Sequence, residues 1–212
     1  MGRQRYIAVE GPIGVGKTTL VRILAERFGF ETVFEQVEDN PFLPKYYKDP
    51  KRWAFSTQLN FLLSRFQQQR DLAQGDLFAK GIVADYLFAK DEIFAAMTLQ
   101  PEELDLYYRV YELLKIRVAV PDLVVYLRAR PEILLSRIKR RAIVYERAIG
   151  SDYLEALTQA YDKYFFHYAE TPLLVVETSE IDILDREGDL EGLVNEVERM
   201  ESGRQHYIPL GS

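Results

Sequence analysis

The chain has 212 residues, 48% of them apolar, and a formal net charge of -6 at neutral pH. This length and apolar content predict one domain with a buried core over residues 1–212, and the acidic balance argues against a non-specific nucleic-acid-binding surface. The lack of cysteine excludes disulfides, thiolate metal sites and thiol nucleophiles, and no apolar stretch is long enough to span a membrane, so we expect a cytoplasmic location.

A glycine-rich segment, residues 11–18, follows the apolar run Tyr6–Val9 and precedes a helical pattern. It reads Gly-Pro-Ile-Gly-Val-Gly-Lys-Thr, which is the G-x-x-x-x-G-K-[ST] motif in the strand-loop-helix context that it requires. Its glycines let backbone N–H groups approach phosphate oxygens, Lys17 can reach the terminal phosphates, and the hydroxyl of Thr18 suits Mg2+. The alternative, a glycine turn that only joins a strand to a helix, leaves the lysine and the hydroxyl unexplained. We therefore predict a nucleoside triphosphate site made by Gly11, Gly14, Val15, Gly16, Lys17, Thr18 and Thr19.

Short apolar runs alternate with helical patterns along the rest of the chain. The runs predict five strands, at Tyr6–Val9, Glu31–Glu35, Ile82–Ala84, Leu123–Leu127 and Leu173–Val176. One helical pattern ends at Gly29, and a second covers Phe55–Phe66. Three more begin at Pro101, Pro131 and Ser151, and a last one covers Leu190–Met200. This alternation predicts an α/β fold in which helices flank a five-stranded parallel sheet, followed by a flexible tail over residues 202–212. Ligands of such folds bind at the carboxyl ends of the strands, where Glu35 and Asp85 are expected.

Three further segments give the sequence a specific resemblance. They are residues 34–43 (FEQVEDNPFL), 47–55 (YKDPKRWAF) and 82–86 (IVADY), and the spacing across Arg137–Tyr153 agrees with them. With the glycine-rich segment, they resemble the deoxynucleoside kinases, in particular the bacterial purine-type enzymes, from about Arg5 to Leu193. The resemblance implies a P-loop kinase fold with a lid at about residues 137–150 and phosphorylation of the 5′-hydroxyl of deoxyguanosine or deoxyadenosine by ATP and Mg2+ in nucleotide salvage. It also implies a homodimer, with the helices that bear Phe55–Phe66 and Tyr107–Leu114 as candidate contacts.

The resemblance assigns the reacting groups. Glu35 stands where the family has its general base, with Glu38 and Asp39 as rival acids nearby. Asp85 matches the acid of the family's Glu/Asp-Arg-Ser motif, which lies near Mg2+ and the reacting hydroxyl. The next two residues here are Tyr86 and Leu87 instead of arginine and serine, so a cation is missing from that motif.

The same resemblance assigns the residues that bind the nucleoside. Gln58 and Arg65 are seven residues apart on a predicted helix and so share a face. In the family, these positions read the nucleobase together with an acid that matches Asp91. Tyr47 and Glu146 match the pair that contacts the sugar 3′-hydroxyl. Taken singly, Gln58, Arg65 and Asp91 could each instead be an ordinary surface polar residue.

A basic cluster at the end of one predicted helix matches the family's lid. Arg137 and Arg141, four residues apart, are expected to stabilise the transferred phosphoryl group, although cations at a helix C-terminus also suit the helix dipole. A third lid arginine is replaced by Ile143, and Arg140 or Arg147 could take its place. Residues 182–187 lie where the family surrounds the adenine of the donor.

Two other classes of protein share parts of this pattern. A nucleoside monophosphate kinase has the same fold but needs extra cations for its acceptor phosphate and does not need a base at Glu35. A nucleotide-binding regulator could keep the fold with a slow or inactive site, but Lys17, Thr18, Glu35 and Asp85 are all present. The aromatic residues Trp53, Phe61 and Phe66 could stack on a base, although helical spacing is more typical of core packing.

Overall fold

The computed structural model describes residues 5–36, 39–73, 80–143, 146, 149–180 and 187–209. Their strands are β1 Arg5–Glu10, β2 Glu31–Val33, β3 Gly81–Ala84, β4 Leu123–Arg128, β5 Leu173–Glu177 and β6 Arg204–Tyr207. Their helices are α1 Lys17–Phe28, α2 Leu43–Tyr46, α3 Pro50–Ala73, α4 Lys90–Thr98, α5 Pro101–Lys115, α6 Pro131–Arg141, α7 Ser151–His167 and α8 Glu187–Arg199. Among the described helices, none combines the length and the apolar character needed to cross a bilayer.

The described residues divide into two compact units. Unit 1 comprises those within Met1–Phe34, Ala79–Leu87 and Val120–Ser212, and unit 2 those within Glu35–Phe78 and Phe88–Ala119. Unit 1 contains every strand and helices α1, α6, α7 and α8, whereas unit 2 contains α2, α3, α4 and α5. A single domain over the whole chain stays a prediction.

Unit 1 is built on a parallel sheet with the strand order β2-β3-β1-β4-β5-β6. The α/β class and the parallel sheet are confirmed. The central strands are buried because apolar side chains point to both faces, and Ile7, Val125 and Leu127 have no exposed surface. Helix α1 ends at Gly29, which adopts a left-handed conformation with φ 64°, as its position after the last apolar residue predicts. This order brings the carboxyl ends of β1 and β3 side by side.

The expectation of five strands is wrong, because a sixth strand lies within the segment predicted to be a flexible tail. Strand β6 pairs in parallel with β5, from Arg204 opposite Leu173 to Tyr207 opposite Val176. Arg204 also donates hydrogen bonds to the main-chain oxygens of Phe165, Phe166 and Tyr168 at 2.9, 3.0 and 2.7 Å, where α7 ends. The Arg-Gln-His-Tyr sequence has no apolar run, so these distant partners, and not a local pattern, make it a strand.

Unit 2 is a cluster of helices around its own core. Leu62 of α3 and the α5 residues Tyr107 and Tyr111 have no exposed surface. Helix α5 begins at Pro101 as predicted, and Glu103 accepts a hydrogen bond from the backbone N–H of Gln100 at 3.3 Å. Helix α4 has no counterpart among the predicted elements, although it positions two of the charged residues described below.

Candidate functional site

The phosphate loop of unit 1 joins β1 to α1 with three glycines at positive φ. They are Gly11 at 151°, Gly14 at 84° and Gly16 at 107°. Gly11 has a second constraint, because a Cβ atom there would lie 2.4 Å from the main-chain oxygen of Leu127 in β4. The Lys17 ammonium donates to the main-chain oxygens of Gly11 at 2.7 Å and Pro12 at 3.3 Å. The loop therefore holds its own lysine at its centre.

We expect Gly11→Ala to destabilise the loop strongly. The added methyl group requires both a shift of β4 and a backbone conformation that side chains other than glycine rarely adopt, at a cost of roughly 1–3 kcal/mol for the backbone alone. Gly188→Ala is the matched control, because Gly188 lies in the first turn of α8, where an added methyl group would have no neighbouring atom within 4 Å. Thermal unfolding and ATP binding of the two variants check this prediction, and equal behaviour of the two would contradict it.

Thr18 and Asp85 meet at the carboxyl ends of β1 and β3. The Thr18 hydroxyl donates to Asp85 Oδ2 at 2.9 Å, and the backbone N–H of Asp85 donates to the main-chain oxygen of Val33 at 3.0 Å. Asp85 is 7% exposed. A hydroxyl beside one carboxylate is a donor set that fits Mg2+, which keeps most of its waters and takes its remaining ligands from phosphates. The part of the chain that the structure describes has no cluster of three or more His, Cys, Asp or Glu residues that could hold a metal without a nucleotide.

Glu10, at the end of β1, is a site residue that the sequence analysis missed. It has no exposed surface. Its Oε1 accepts hydrogen bonds from the Gly11 N–H at 2.8 Å and the Tyr161 hydroxyl at 3.1 Å, and its Oε2 accepts one from the Leu87 N–H at 2.9 Å. One carboxylate thus fixes the start of the phosphate loop relative to the segment that follows Asp85. The sequence did contain one signal of this role, namely a charged residue directly after a strand that is predicted to be buried.

The two predicted lid arginines have different partners. Arg137 on α6 donates to the main-chain oxygens of Val15, at 3.4 Å, and Thr178, at 2.8 Å, so it lies against the phosphate loop. Arg141, at the end of the same helix, forms an ion pair with Glu146, whose side chain is 8% exposed. The structure thus brings Arg141 together with a residue that we predicted for sugar binding. Arg147 and residues 182–186 lie outside the described residues, and Glu187 begins α8.

In unit 2, Glu35 lies in a buried group of four charges. Arg65 of α3 donates to Glu35 Oε1 through Nε at 3.1 Å and through a second guanidinium nitrogen, and it forms an ion pair with Asp91. Lys90 donates from Nζ to Glu35 Oε2 at 2.6 Å. The Glu35 side chain is 11% exposed, and those of Arg65, Lys90 and Asp91 are 8% exposed or less.

These charges fix the ionisation of Glu35. Burial alone would raise the pKa of its carboxyl, but the charges of Arg65 and Lys90 and the hydrogen bonds from both outweigh burial and hold that pKa well below its ordinary value. Glu35 is therefore a carboxylate at neutral pH. The family resemblance predicts that Arg65 and Asp91 read the base, but neither the contact of Arg65 with Glu35 nor a role for Lys90 follows from it.

The remaining predicted residues of unit 2 lie on or beside α3. Gln58 is 4% exposed and precedes Arg65 by two turns. Tyr47, half-buried, follows α2, and its ring centroid lies 5.7 Å from that of Tyr46. Asp39, one of the rival acids, is exposed, and Glu38 lies outside the described residues.

The aromatic side chains of α3 have protein partners. Trp53 stacks on Phe42 with ring centroids 6.0 Å apart, and Phe66 packs against the core of unit 2. The Phe61 ring lies 5.0 Å from the guanidinium carbon of Arg65, a distance at which the ring face attracts the cation. Stacking on Phe42, packing against the core of unit 2 and support of Arg65 thus account for Trp53, Phe66 and Phe61 in turn.

The chain is similar to known proteins in both sequence and fold. The family model described as deoxynucleoside kinase matches residues 7–201. The chain is 41% identical over 164 residues to the deoxyguanosine kinase of Bacillus subtilis (strain 168), covering 76% of this chain and 79% of that protein. It is 32% identical over 203 residues to the deoxyadenosine/deoxycytidine kinase of the same organism, covering 92% of each. A solved structure of deoxyadenosine kinase from M. mycoides with the products dCMP and a flexible dCDP bound superposes with a TM-score of 0.79 at 27% identity, covering 92% of this chain and all of that one.

The chain belongs to the deoxynucleoside kinase family. It is a phosphotransferase that acts on a nucleoside hydroxyl, and the P-loop kinase fold is confirmed. These matches do not favour a monophosphate kinase or a non-catalytic regulator.

Proposed function

We propose that the protein transfers the γ-phosphoryl group of ATP to the 5′-hydroxyl of a purine deoxynucleoside, deoxyguanosine or deoxyadenosine, in nucleotide salvage. The observation that carries this proposal is the pairing of the Glu35 carboxylate with the cations of Arg65 and Lys90, which keep it ionised. In the proposed step, the hydroxyl O–H bond breaks, and Glu35 takes the proton. The hydroxyl oxygen bonds to the γ-phosphorus, and the bond from that phosphorus to the bridging oxygen breaks to release ADP. The proton then leaves Glu35 for solvent.

A base with a low pKa suits this reaction because phosphoryl transfer has a loose transition state. Little bond formation to the attacking oxygen has occurred at that point, so the hydroxyl proton is transferred late. Glu35 then acts mainly by orienting the hydroxyl. It takes the proton once bonding to phosphorus has made the hydroxyl more acidic. The hydrogen bonds from Arg65 and Lys90 support this role because they hold the carboxylate in one position.

On the donor side, we assign ATP to Gly11, Gly14, Val15, Gly16, Lys17, Thr18 and Thr19. Thr18 and Asp85 would hold Mg2+, which neutralises phosphate charge when bound. The contact of Arg137 with the main-chain oxygen of Val15 supports a role at the same phosphates. Arg141 would join the phosphates by exchanging its ion pair with Glu146, as a lid residue does on closure.

On the acceptor side, Gln58, Arg65 and Asp91 would bind the base. A buried amide offers both a donor and an acceptor to a purine edge, and the Arg65–Asp91 ion pair orients both charges. Tyr47 and Glu146 would bind the 3′-hydroxyl. Glu146 Oε2 supports this assignment, because it is buried without a hydrogen-bond partner among the described residues. The choice of a purine rests on the 41% identity to a deoxyguanosine kinase.

We also propose a homodimer in the cytoplasm. Helices α3 and α5 pack together in unit 2 and expose apolar side chains, including Leu63, Leu106 and Leu113 at 48%, 47% and 71% exposure. A second copy of the chain would cover such side chains. The cytoplasm is the compartment that supplies ATP and free deoxynucleosides. Light scattering of the purified protein tests the dimer.

The proposed activity is tested by offering ATP and Mg2+ with each of the four deoxynucleosides, their ribose forms and their monophosphates. We expect turnover of deoxyguanosine and deoxyadenosine, with deoxycytidine and thymidine much slower. Preferred turnover of deoxycytidine would overturn the purine assignment, and turnover of monophosphates alone would overturn the role of Glu35.

A further inference from the structure

Lys90 is a buried lysine at a place where helix electrostatics disfavour it. It is the first residue of α4, and its side chain is 8% exposed. The N-terminal end of a helix carries partial positive charge, so a cation there is repelled, and burial adds a desolvation cost. Its ammonium lies 2.6 Å from Glu35 Oε2, which offsets both costs. The contact with Glu35 therefore explains why a lysine stands at the start of α4, whereas the stability of the helix does not explain it.

Among the described residues of unit 2, the charges paired with Glu35 and Asp91 balance only when Lys90 is counted. Glu35 and Asp91 carry two negative charges, and Arg65 and Lys90 carry two positive charges. Arg65 divides its guanidinium between the two carboxylates, so it cannot by itself neutralise both. Lys90 thus supplies the second of the two cations that balance Glu35 and Asp91.

We propose that Lys90 is a positioning residue for phosphoryl transfer, and that its ammonium holds Glu35 as an oriented carboxylate that can receive the hydroxyl of the nucleoside. This inference rests on the proposed function, in which Glu35 is the base. Among the described residues of unit 2, the charged groups around Glu35 are Arg65 from α3 and Lys90 and Asp91 from α4, and Tyr107 of α5 is close to Arg65 and Asp91. Burial first, and then Asp91, raise the pKa of Tyr107, so it stays neutral and does not replace the lost cation.

The test is the pH profile of kcat/KM in Lys90→Met, which keeps the length of the side chain and removes its charge. For the wild type, we expect protonation of Glu35 to cause no loss of kcat/KM between about pH 8 and about pH 5, because the pKa of Glu35 is held below that range. In Lys90→Met, Glu35 loses one of its two cations, and its pKa rises. The variant is expected to lose about tenfold at pH 8 and progressively more as the pH falls toward 5, whereas Lys90→Arg keeps the wild-type profile.

Lys51→Met is the matched control, because Lys51 also lies in the first turn of a helix of unit 2 but is exposed. It is expected to behave as the wild type. If Lys90 only stabilises the fold, Lys90→Met will lower kcat/KM by the same factor at every pH, and the inference is overturned.

A second measurement applies if Lys90→Met does not fold. The side-chain carboxyl carbon of Glu35, assigned in the wild type by its disappearance in Glu35→Gln, is followed by NMR from about pH 7 to about pH 4. A constant shift is expected, and a titration in that range would overturn the inference. A wild type inactive on every deoxynucleoside would instead overturn the proposed function, which keeps the two failures distinct.

Discussion

Glu35→Gln is expected to lower kcat by about 10²- to 10⁴-fold, the usual contribution of a general base. The amide has almost the shape of the carboxylate but neither accepts a proton at neutral pH nor balances Arg65 and Lys90. ATP affinity is expected to stay unchanged, since Glu35 is not among the proposed ATP-binding residues. Steady-state kinetics with deoxyguanosine and equilibrium binding of ATP measure the two quantities separately.

Asp39→Asn is the control for this experiment, because it removes an exposed rival acid four residues further along the chain. It should leave kcat unchanged, and so should Glu38→Gln. Near-normal turnover in Glu35→Gln, with a large loss in either rival variant, would move the base to that residue.

Lys17→Met is expected to lower kcat/KM for ATP by about 10²- to 10³-fold. The ammonium now bonds to two main-chain oxygens of its own loop, and in the proposed complex it would turn to the phosphates of ATP. A hydrogen bond to a charged group contributes about 1.5–3 kcal/mol, and losing one or two of them gives the stated factor.

The control for Lys17 is Lys163→Met, which removes an exposed lysine from α7 in the same unit. Both variants should unfold at temperatures close to that of the wild type, because Lys17 is only partly buried. Equal kcat/KM values for ATP in the two variants would show that Lys17 does not bind the phosphates.

The sheet was predictable wherever a strand is a continuous apolar run. The sequence from Leu123 to Leu127 is such a run, and the structure extends it by one residue. Strand β6 was not predictable, because its order comes from pairing with β5 and from the bonds of Arg204. Helix α4 was missed because its first three residues, Lys-Asp-Glu, are charged and its apolar stretch is short.

The site residues also differ in how well the sequence predicts their geometry. The phosphate loop is a local motif whose glycines and lysine act within eight residues, so the sequence alone predicts its geometry. The partners of Glu35 are 30 residues away at Arg65 and 55 residues away at Lys90. No spacing rule connects such positions, and only the folded chain brings these charges together. Glu10 was missed for a related reason, since a buried carboxylate reveals its role only through the donors that surround it.

The position of β1 in the sheet has a consequence for how the chain folds during synthesis. This strand is made first, yet its neighbours are β3 and β4, and β4 begins only at Leu123. Arg5, at its start, donates to the main-chain oxygens of Val197, Glu198 and Met200, where α8 ends. Helices α3, α4 and α5 make contacts closer in sequence and can form earlier. This apolar strand therefore leaves the ribosome before β4 exists, and one of its edges stays unpaired and open to aggregation until β4 is made.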